Sequence, residues 1–172
     1  MSSELDRDAD LRDLYELYRH DIYRFARYTL GDSSVALDVV QEVFVRAIRA
    51  WGNFRHDANT KTWLLSIARN YMYDYVRKQK KWNQFISEYD PPFIADRELP
   101  IETTLVLEQT LMALKESYRQ VFILRHIEEL SVEETAQVLG WSPGKVRTTD
   151  YRAVARIRNM LGTGFEGGIL NV

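Results

Sequence analysis

The sequence predicts an all-α protein of two small helical domains joined by an extended acidic linker. Three observations carry that prediction. Apolar residues recur at three-and-four spacing in both halves, a proline-bearing stretch without such a period separates them, and charge runs basic, acidic, basic. At 172 residues the chain suits one ordinary domain or two small ones. Its 45% apolar and 28% charged residues are the balance of a folded chain with a core, not of a disordered or membrane protein.

The first helix is marked by Leu11, Leu14, Tyr15, Tyr18, Ile22, Phe25 and Ala26, and Gly31 supplies its stop. Asp32 is placed to cap a second helix with the most regular stripe of the chain: Ala36, Val39, Val40, Val43, Phe44, Ala47, Ile48 and Trp51. Gly52 and Asn53 end it. After the polar loop Asn53–Asn59, Trp63, Leu64, Ile67, Ala68, Tyr71 and Tyr75 mark a third helix running into the basic stretch Arg77–Lys81. Three such helices bury one small core, so residues 1–82 form the first domain.

Residues 83–100 have no sustained period, contain Pro91, Pro92 and Pro100, and read as linker. Helical spacing resumes at Leu105, Leu111 and Leu114 and continues through Tyr118, Val121, Phe122, Leu124 and Arg125. Ser131-Val-Glu-Glu134 has the form of a capping box, in which the serine hydroxyl and the glutamate carboxylate satisfy unpaired amides at a helix start. A short helix Val132–Leu139 follows, then a turn at Gly140-Trp141. Ser142-Pro143 opens a longer helix to Leu161, with proline where its missing amide is harmless. The second domain is therefore 101–161, followed by a glycine-rich, flexible tail at 162–172.

The net charge of −2 conceals strong segregation. Thr60–Trp82 has six basic residues against Asp74, a net of +5; Pro143–Leu161 has five against Asp150, a net of +4. Asn83–Thr104 has five acidic residues against Arg97, a net of −4. A phosphate backbone feels local charge, so the two basic segments are the candidates for nucleic acid. With no cysteine there is no disulfide or thiolate site, and His20, His56 and His126 fit no zinc spacing, so no metal or other cofactor is expected. No apolar run reaches the roughly 18 residues of a spanning helix, and Met1–Arg12 is polar and acidic; the expected location is the cytoplasm, without membrane insertion.

A short helix, a glycine turn and a basic helix form a helix-turn-helix, whose second helix enters the major groove. Ala136, Val138, Leu139 and Val146 supply its small core and leave Lys145, Arg147, Thr148, Tyr151 and Arg152 outward, side-chain types suited to phosphate and base edges. In the third helix, aromatics alternate with cations as in single-strand binders. Trp63, Tyr71 and Tyr75 nevertheless lie on the apolar stripe and read as core, whereas Asn70, Tyr73, Asp74 and Arg77 read as exposed. Two other readings compete: a free-standing helix-turn-helix repressor or activator, and an enzyme built on carboxylates and the three histidines. No glycine-rich phosphate loop, nucleophile elbow or paired ligand motif supports the enzyme, and no small-molecule substrate is expected.

Taken together, these segments resemble the extracytoplasmic-function (ECF) sigma factors of the sigma-70 family, group 4, over Leu11–Leu161. Asp38-Val-Val-Gln-Glu-Val-Phe44 is similar to the family segment that docks on the polymerase clamp, and Thr62-Trp-Leu-Leu-Ser-Ile-Ala-Arg-Asn70 to its promoter-melting helix. Arg125-His-Ile-Glu-Glu-Leu-Ser131, Glu134-Thr-Ala-Gln137 and Gly144-Lys-Val-Arg-Thr148, then Arg152-Ala153, resemble the helix-turn-helix of the second domain.

The resemblance implies a non-enzymatic factor that binds core RNA polymerase, recognises promoters and starts transcription in a stress or envelope response. It makes residues 1–82 a sigma region 2 domain and 101–161 a region 4 domain. Asp38, Gln41 and Glu42 become contacts with the clamp coiled coil of the largest polymerase subunit, and the flap of the second-largest subunit becomes a further partner. The downstream (−10) element is assigned to Phe54, His56, Asn59, Lys61, Asn70, Asp74 and Arg77, which capture an extruded base. The upstream (−35) element, as duplex, is assigned to Lys145, Arg147, Thr148, Tyr151 and Arg152. An anti-sigma factor, able to hold the protein at a membrane, is the implied regulator. Thr149 and Asp150 depart from the arginine and the apolar residue common in the family, which implies an individual promoter preference set there. Lys115 replaces a common proline and Thr60 a common aromatic, with consequences for local loop geometry.

Overall fold

The computed structural model describes residues 2–55, 59–83 and 101–162. His56, the linker beyond Asn83 and the tail beyond Gly162 therefore lie outside the described residues. Among those described there is no strand; α1 is Ser2–Leu30, α2 Ser33–Ala50, α3 Thr60–Asn83, α4 Ile101–Ala113, α5 Glu116–Phe122, α6 Val132–Leu139 and α7 Pro143–Leu161.

Local chemistry sets the boundaries. The Asp32 carboxylate accepts the Val35 amide at 3.0 Å and starts α2, while Gly31, at φ 73°, turns the chain out of α1 in the left-handed conformation that glycine adopts without a Cβ clash. Helix α1 begins well before Leu11, the first residue of the periodic pattern. A 3-10 turn, Trp51–Asn53, closes α2. Asn59 caps α3, its Oδ1 accepting the Thr62 amide at 3.0 Å. Lys115 precedes α5 with φ −54°, the angle a proline ring would impose, so losing proline here leaves the backbone path intact.

Helices α1, α2 and α3 pack as one bundle, joined by Ile22, Phe25, Val39, Val43, Leu64 and Ala68, all buried. Tyr15 meets Phe44 edge-to-face at 4.9 Å, fixing α1 against α2. Truncating a wholly buried side chain such as Phe25 to alanine should cost about 3–5 kcal/mol. The second bundle, α4–α7, is built on Leu111, Val121, Phe122, Leu124, Leu139, Val146, Ala153 and Ile157, again all buried.

The two bundles are packed against each other. Helix α6 lies on α3, and α4 and the end of α5 lie on α1, so buried residues of both halves form one cluster. This explains two departures from the predicted stripe of α3: Leu65 and Met72 are buried although they lie off it, because α3 is covered on more than one side. Conversely, Ile48, predicted as core, is 46% exposed at the open end of α2.

Candidate nucleic-acid interface

The helix-turn-helix is built as its sequence signals require. Ser131 Oγ accepts the Glu134 amide at 3.0 Å and Glu134 Oε2 accepts the Ser131 amide at 2.7 Å, a complete capping box. Gly140, at φ 66°, ends α6, and the Trp141 amide returns to the Ala136 carbonyl at 3.0 Å. Ser142 Oγ then accepts the Lys145 amide at 3.2 Å, with Pro143 in the first turn of α7.

On α7 the buried stripe is Val146, Thr149, Ala153 and Ile157. Spacing of three and four puts Lys145, Arg147, Thr148, Tyr151 and Arg152 outside it, and all five are exposed, Tyr151 by 79%. Lys145 Nζ stands 3.9 Å from the centroid of the Trp141 ring, and Arg147 reaches Glu133 at 3.3 Å across the turn. Both contacts are at the surface, so both cations stay free to exchange partners.

Thr149 and Asp150, the two departures from the family pattern, do not join that outward set. Thr149 is buried, and the Asp150 carboxylate turns inward: its Oδ1 shares a 2.7 Å hydrogen bond with His126 Nε2, and its Oδ2 lies 3.5 Å from Arg125 Nε. The pair ties α7 to the end of α5. There the chain makes a π-turn, Ile123–Ile127, closed by the Glu128 amide on the Ile123 carbonyl at 2.8 Å, with Glu129 at φ 58°. The Arg125 guanidinium also donates to the Leu130 carbonyl.

The candidate single-strand face on the first bundle is divided. Asn70 and Arg77 are exposed and Asp74 half-buried, with Arg77 on Asp74 at 3.4 Å and Arg69 on Asn70 at 3.4 Å. Phe54 is buried in an aromatic stack, 4.3 Å from Trp63 and 5.5 Å from Trp51 between ring centroids. It shapes the loop from within. Asn59 and Lys61 point at the second bundle: Asn59 Nδ2 donates to Glu134 Oε1 at 2.9 Å, and Lys61 Nζ donates to the Glu128 carbonyl at 3.0 Å and pairs with its carboxylate at 3.2 Å.

Glu128 is thus the centre of a charge cluster that sequence reasoning missed. Arg24 Nε and Nη2 donate to its two oxygens at 2.8 and 3.0 Å, and Asp21 shares both Arg24 and Lys61. Burial pushes the Glu128 carboxyl above its ordinary pKa, more than Arg24 and Lys61 lower it. Beside it, Arg27 pairs with Glu108 at 3.1 Å with both side chains buried. Arg119 donates to Leu111 and Leu114 carbonyls at the end of α4 and to the Thr29 carbonyl of α1 at 2.7 Å. One signal was available: Glu108 and Arg27 are charges set among apolar residues at buried helical spacing, and such charges need partners.

On α2, Asp38 and Gln41 are exposed and Glu42 is half-buried, held by Arg46 Nε at 2.7 Å. Leu37, Val45 and Ile48 are exposed on the same helix.

Against known proteins, residues 14–81 match the family model for Sigma-70 region 2, and residues 104–157 that for Sigma-70, region 4. The ECF RNA polymerase sigma factor SigX of Bacillus subtilis is 33% identical over 155 residues, covering 84% of this chain and 80% of its own. The chain belongs to the ECF sigma factors. A second relative of this sigma factor, the RNA polymerase sigma factor YlaC of the same organism, is 34% identical over 157 residues, covering 86% of this chain and 88% of its own. In fold it is similar to the sigma factor RpoE of Bartonella quintana, solved with the anti-sigma factor NepR, at TM-score 0.77, 22% identity, and 92% and 98% coverage of the two chains. It is also similar to CnrH, solved with the cytosolic domain of CnrY, at TM-score 0.70, 25% identity, and 90% and 88% coverage. As a sigma factor it is a non-enzymatic initiation factor, acting through binding to RNA polymerase and promoter DNA.

Proposed function

We propose that this ECF sigma factor reads the upstream promoter element as duplex with α7, through Lys145, Arg147, Thr148, Tyr151 and Arg152. The observation that carries the reading is their common exposure opposite the buried stripe Val146, Thr149, Ala153 and Ile157, on a helix whose start is capped and therefore rigid. The downstream element is read by the start of α3 and the loop before it. Asn59 and Lys61 there, with Asn70, Asp74 and Arg77 further along α3, are the contacting candidates; Phe54 supports the loop, and His56, outside the described residues, is kept as a candidate contact. Asp38, Gln41 and Glu42 dock on the clamp of the largest polymerase subunit, and the second domain meets the flap of the other large subunit.

The boundaries proposed for these roles are 1–82 and 101–161, with 83–100 as the tether. Two weak DNA contacts joined by a chain and a common polymerase gain effective concentration without any new contact. The proposed site of action is where RNA polymerase works, in the cytoplasm, with an anti-sigma factor able to hold the protein at a membrane; among the described residues no helix is long and apolar enough to cross one. An anti-sigma factor is the proposed regulator, in line with the partner named for the Bartonella sigma factor of similar fold.

The test is reconstitution. Purified chain with core polymerase and a library of promoter fragments should yield specific initiation at a shared two-element motif. Initiation at no motif, alongside tight duplex binding without polymerase, would favour a free-standing regulator instead.

A further inference from the structure

We propose that Lys115 and Arg156 clamp the sugar–phosphate backbone of promoter duplex beside the upstream element, outside the base pairs that α7 reads. The inference rests on the proposed reading of duplex by α7 and adds to it a cation from a second element. An open groove of about 480 Å³ runs between the start of α5 and the outer side of α7. Lys115 and Tyr118 form one wall, and Tyr151, Arg152, Arg156 and Asn159 form the other. Its described lining has three cations and no carboxylate.

The groove continues the reading face of α7. Lys145, Thr148, Arg152, Arg156 and Asn159 follow one another at spacings of three and four, so they share one side of the helix, and all five are exposed. Arg156 stands about 6 Å beyond Arg152 along the axis, at the helical rise of about 1.5 Å per residue. Lys115 reaches the same space from the residue before α5, where its side chain makes no capping bond. Among the described residues Lys115, Arg152 and Arg156 have no ion pair or side-chain hydrogen bond. The neighbouring carboxylates are engaged elsewhere: Glu116 accepts from Gln120 at 3.2 Å, and Asp150 is held by His126 at 2.7 Å. Because that second bond and close packing hold α5 and α7 together, the two walls are set before DNA arrives.

The exposure of the groove selects a polyanion over a small ligand. A small-molecule site encloses most of its ligand, whereas here five of the six groove residues, all but the half-buried Tyr118, are exposed and would leave a small anion in water. A duplex held by the first turns of α7 brings a row of phosphates to the same side, and each phosphate neutralised there releases counterions. The Tyr118 hydroxyl and the Asn159 amide add neutral donors of the kind that bind phosphate oxygens.

The test is a neutral-phosphate scan with holoenzyme containing the full chain. Promoter duplexes carry one methylphosphonate at a time across the upstream element and its flanks. Wild type should bind several-fold more weakly where a clamped phosphate is neutralised, at positions outside the bases selected from a library. Lys115→Ala with Arg156→Ala should bind unmodified duplex more weakly and be indifferent to those same methylphosphonates. Its salt dependence of binding should flatten by about two units of slope, about one for each phosphate. Lys115→Arg with Arg156→Lys keeps both charges and should behave as wild type.

Unchanged affinity and salt slope in the alanine pair overturn the clamp, as does a pair that binds less tightly yet stays sensitive to every methylphosphonate that affects wild type. A pair that keeps its DNA binding but loses co-purification with core polymerase assigns the groove to an acidic protein segment and overturns the clamp equally. Arg147→Ala is measured alongside. If it weakens promoter binding and the alanine pair does not, the reading of duplex by α7 stands and only the clamp falls; if neither has any effect, that reading falls with it.

Discussion

Arg24 and Glu128 stand 104 residues apart in the chain and are joined by two hydrogen bonds, at 2.8 and 3.0 Å, with the glutamate fully enclosed. A two-pronged guanidinium–carboxylate pair fixes both distance and orientation, so it registers α1 against the turn after α5. Glu128→Gln keeps the shape but removes the charge that Arg24 and Lys61 share. The cost comes from the amide nitrogen that replaces one carboxylate oxygen and leaves one of the two Arg24 donors without its acceptor; stability should fall by about 1–2 kcal/mol, read as a shifted midpoint in urea with helicity retained.

The same carboxylate gives the fold a pH dependence. Burial raises its pKa in the folded chain above that of the exposed group, despite Arg24 and Lys61; Asp21 is the other charged group in the cluster. A raised acid binds its proton more tightly when folded, so this contribution is full below the ordinary glutamate pKa and is lost as pH rises through the raised value. Thermal midpoints should therefore fall from mildly acidic pH towards neutral, and Glu128→Gln should flatten that slope. An identical slope in the variant would assign the dependence to other groups.

How far the sequence speaks depends on how local the cause is. Asp32, Asn59, Ser131, Gly140 and Ser142 act within a few residues of themselves, and the helix starts and stops that they control are legible without a structure. The outward set on α7 follows from helical spacing alone. The contact between the two bundles does not: Arg24 with Glu128 and Arg27 with Glu108 meet across more than 80 residues, with no periodic pattern linking them. Asp150 misleads for a related reason. Its position on a basic helix suggests a DNA-facing anion, but the partner that turns it inward, His126, lies 24 residues away on another element.

His126→Ala should therefore act on stability and not on base choice. The imidazole bonds Asp150 and packs on Phe122, 4.9 Å between rings, so its loss frees the Asp150 carboxylate and loosens α7. We expect a loss of about 1–2 kcal/mol in unfolding free energy. Promoter selection from a library should keep the wild-type upstream motif; a changed motif would return Asp150 to the recognition surface.

The docking face is separable from DNA reading. Gln41 and Glu42 lie on α2 outside its buried stripe, and the Arg46 contact of Glu42 is at the surface, so Gln41→Ala with Glu42→Ala should leave the bundle folded. Association with core polymerase should weaken in co-purification, while helicity by circular dichroism stays unchanged. Undiminished co-purification would move the docking surface elsewhere.

Arg147 separates the two kinds of DNA contact on α7. Its guanidinium is 60% exposed and tied only at 3.3 Å to Glu133, itself exposed, so alanine there should hardly affect folding. If the fork pairs with a base edge, Arg147→Ala should weaken binding of the preferred upstream element by about 1–3 kcal/mol and relax selection at one base position. If it clamps a phosphate, all sequences should weaken alike and the salt dependence of binding should flatten by about one unit of slope. Titrating holoenzyme onto promoter variants at two salt concentrations distinguishes these outcomes. No loss on any sequence would remove Arg147 from the interface and leave Lys145, Tyr151 and Arg152 to carry it.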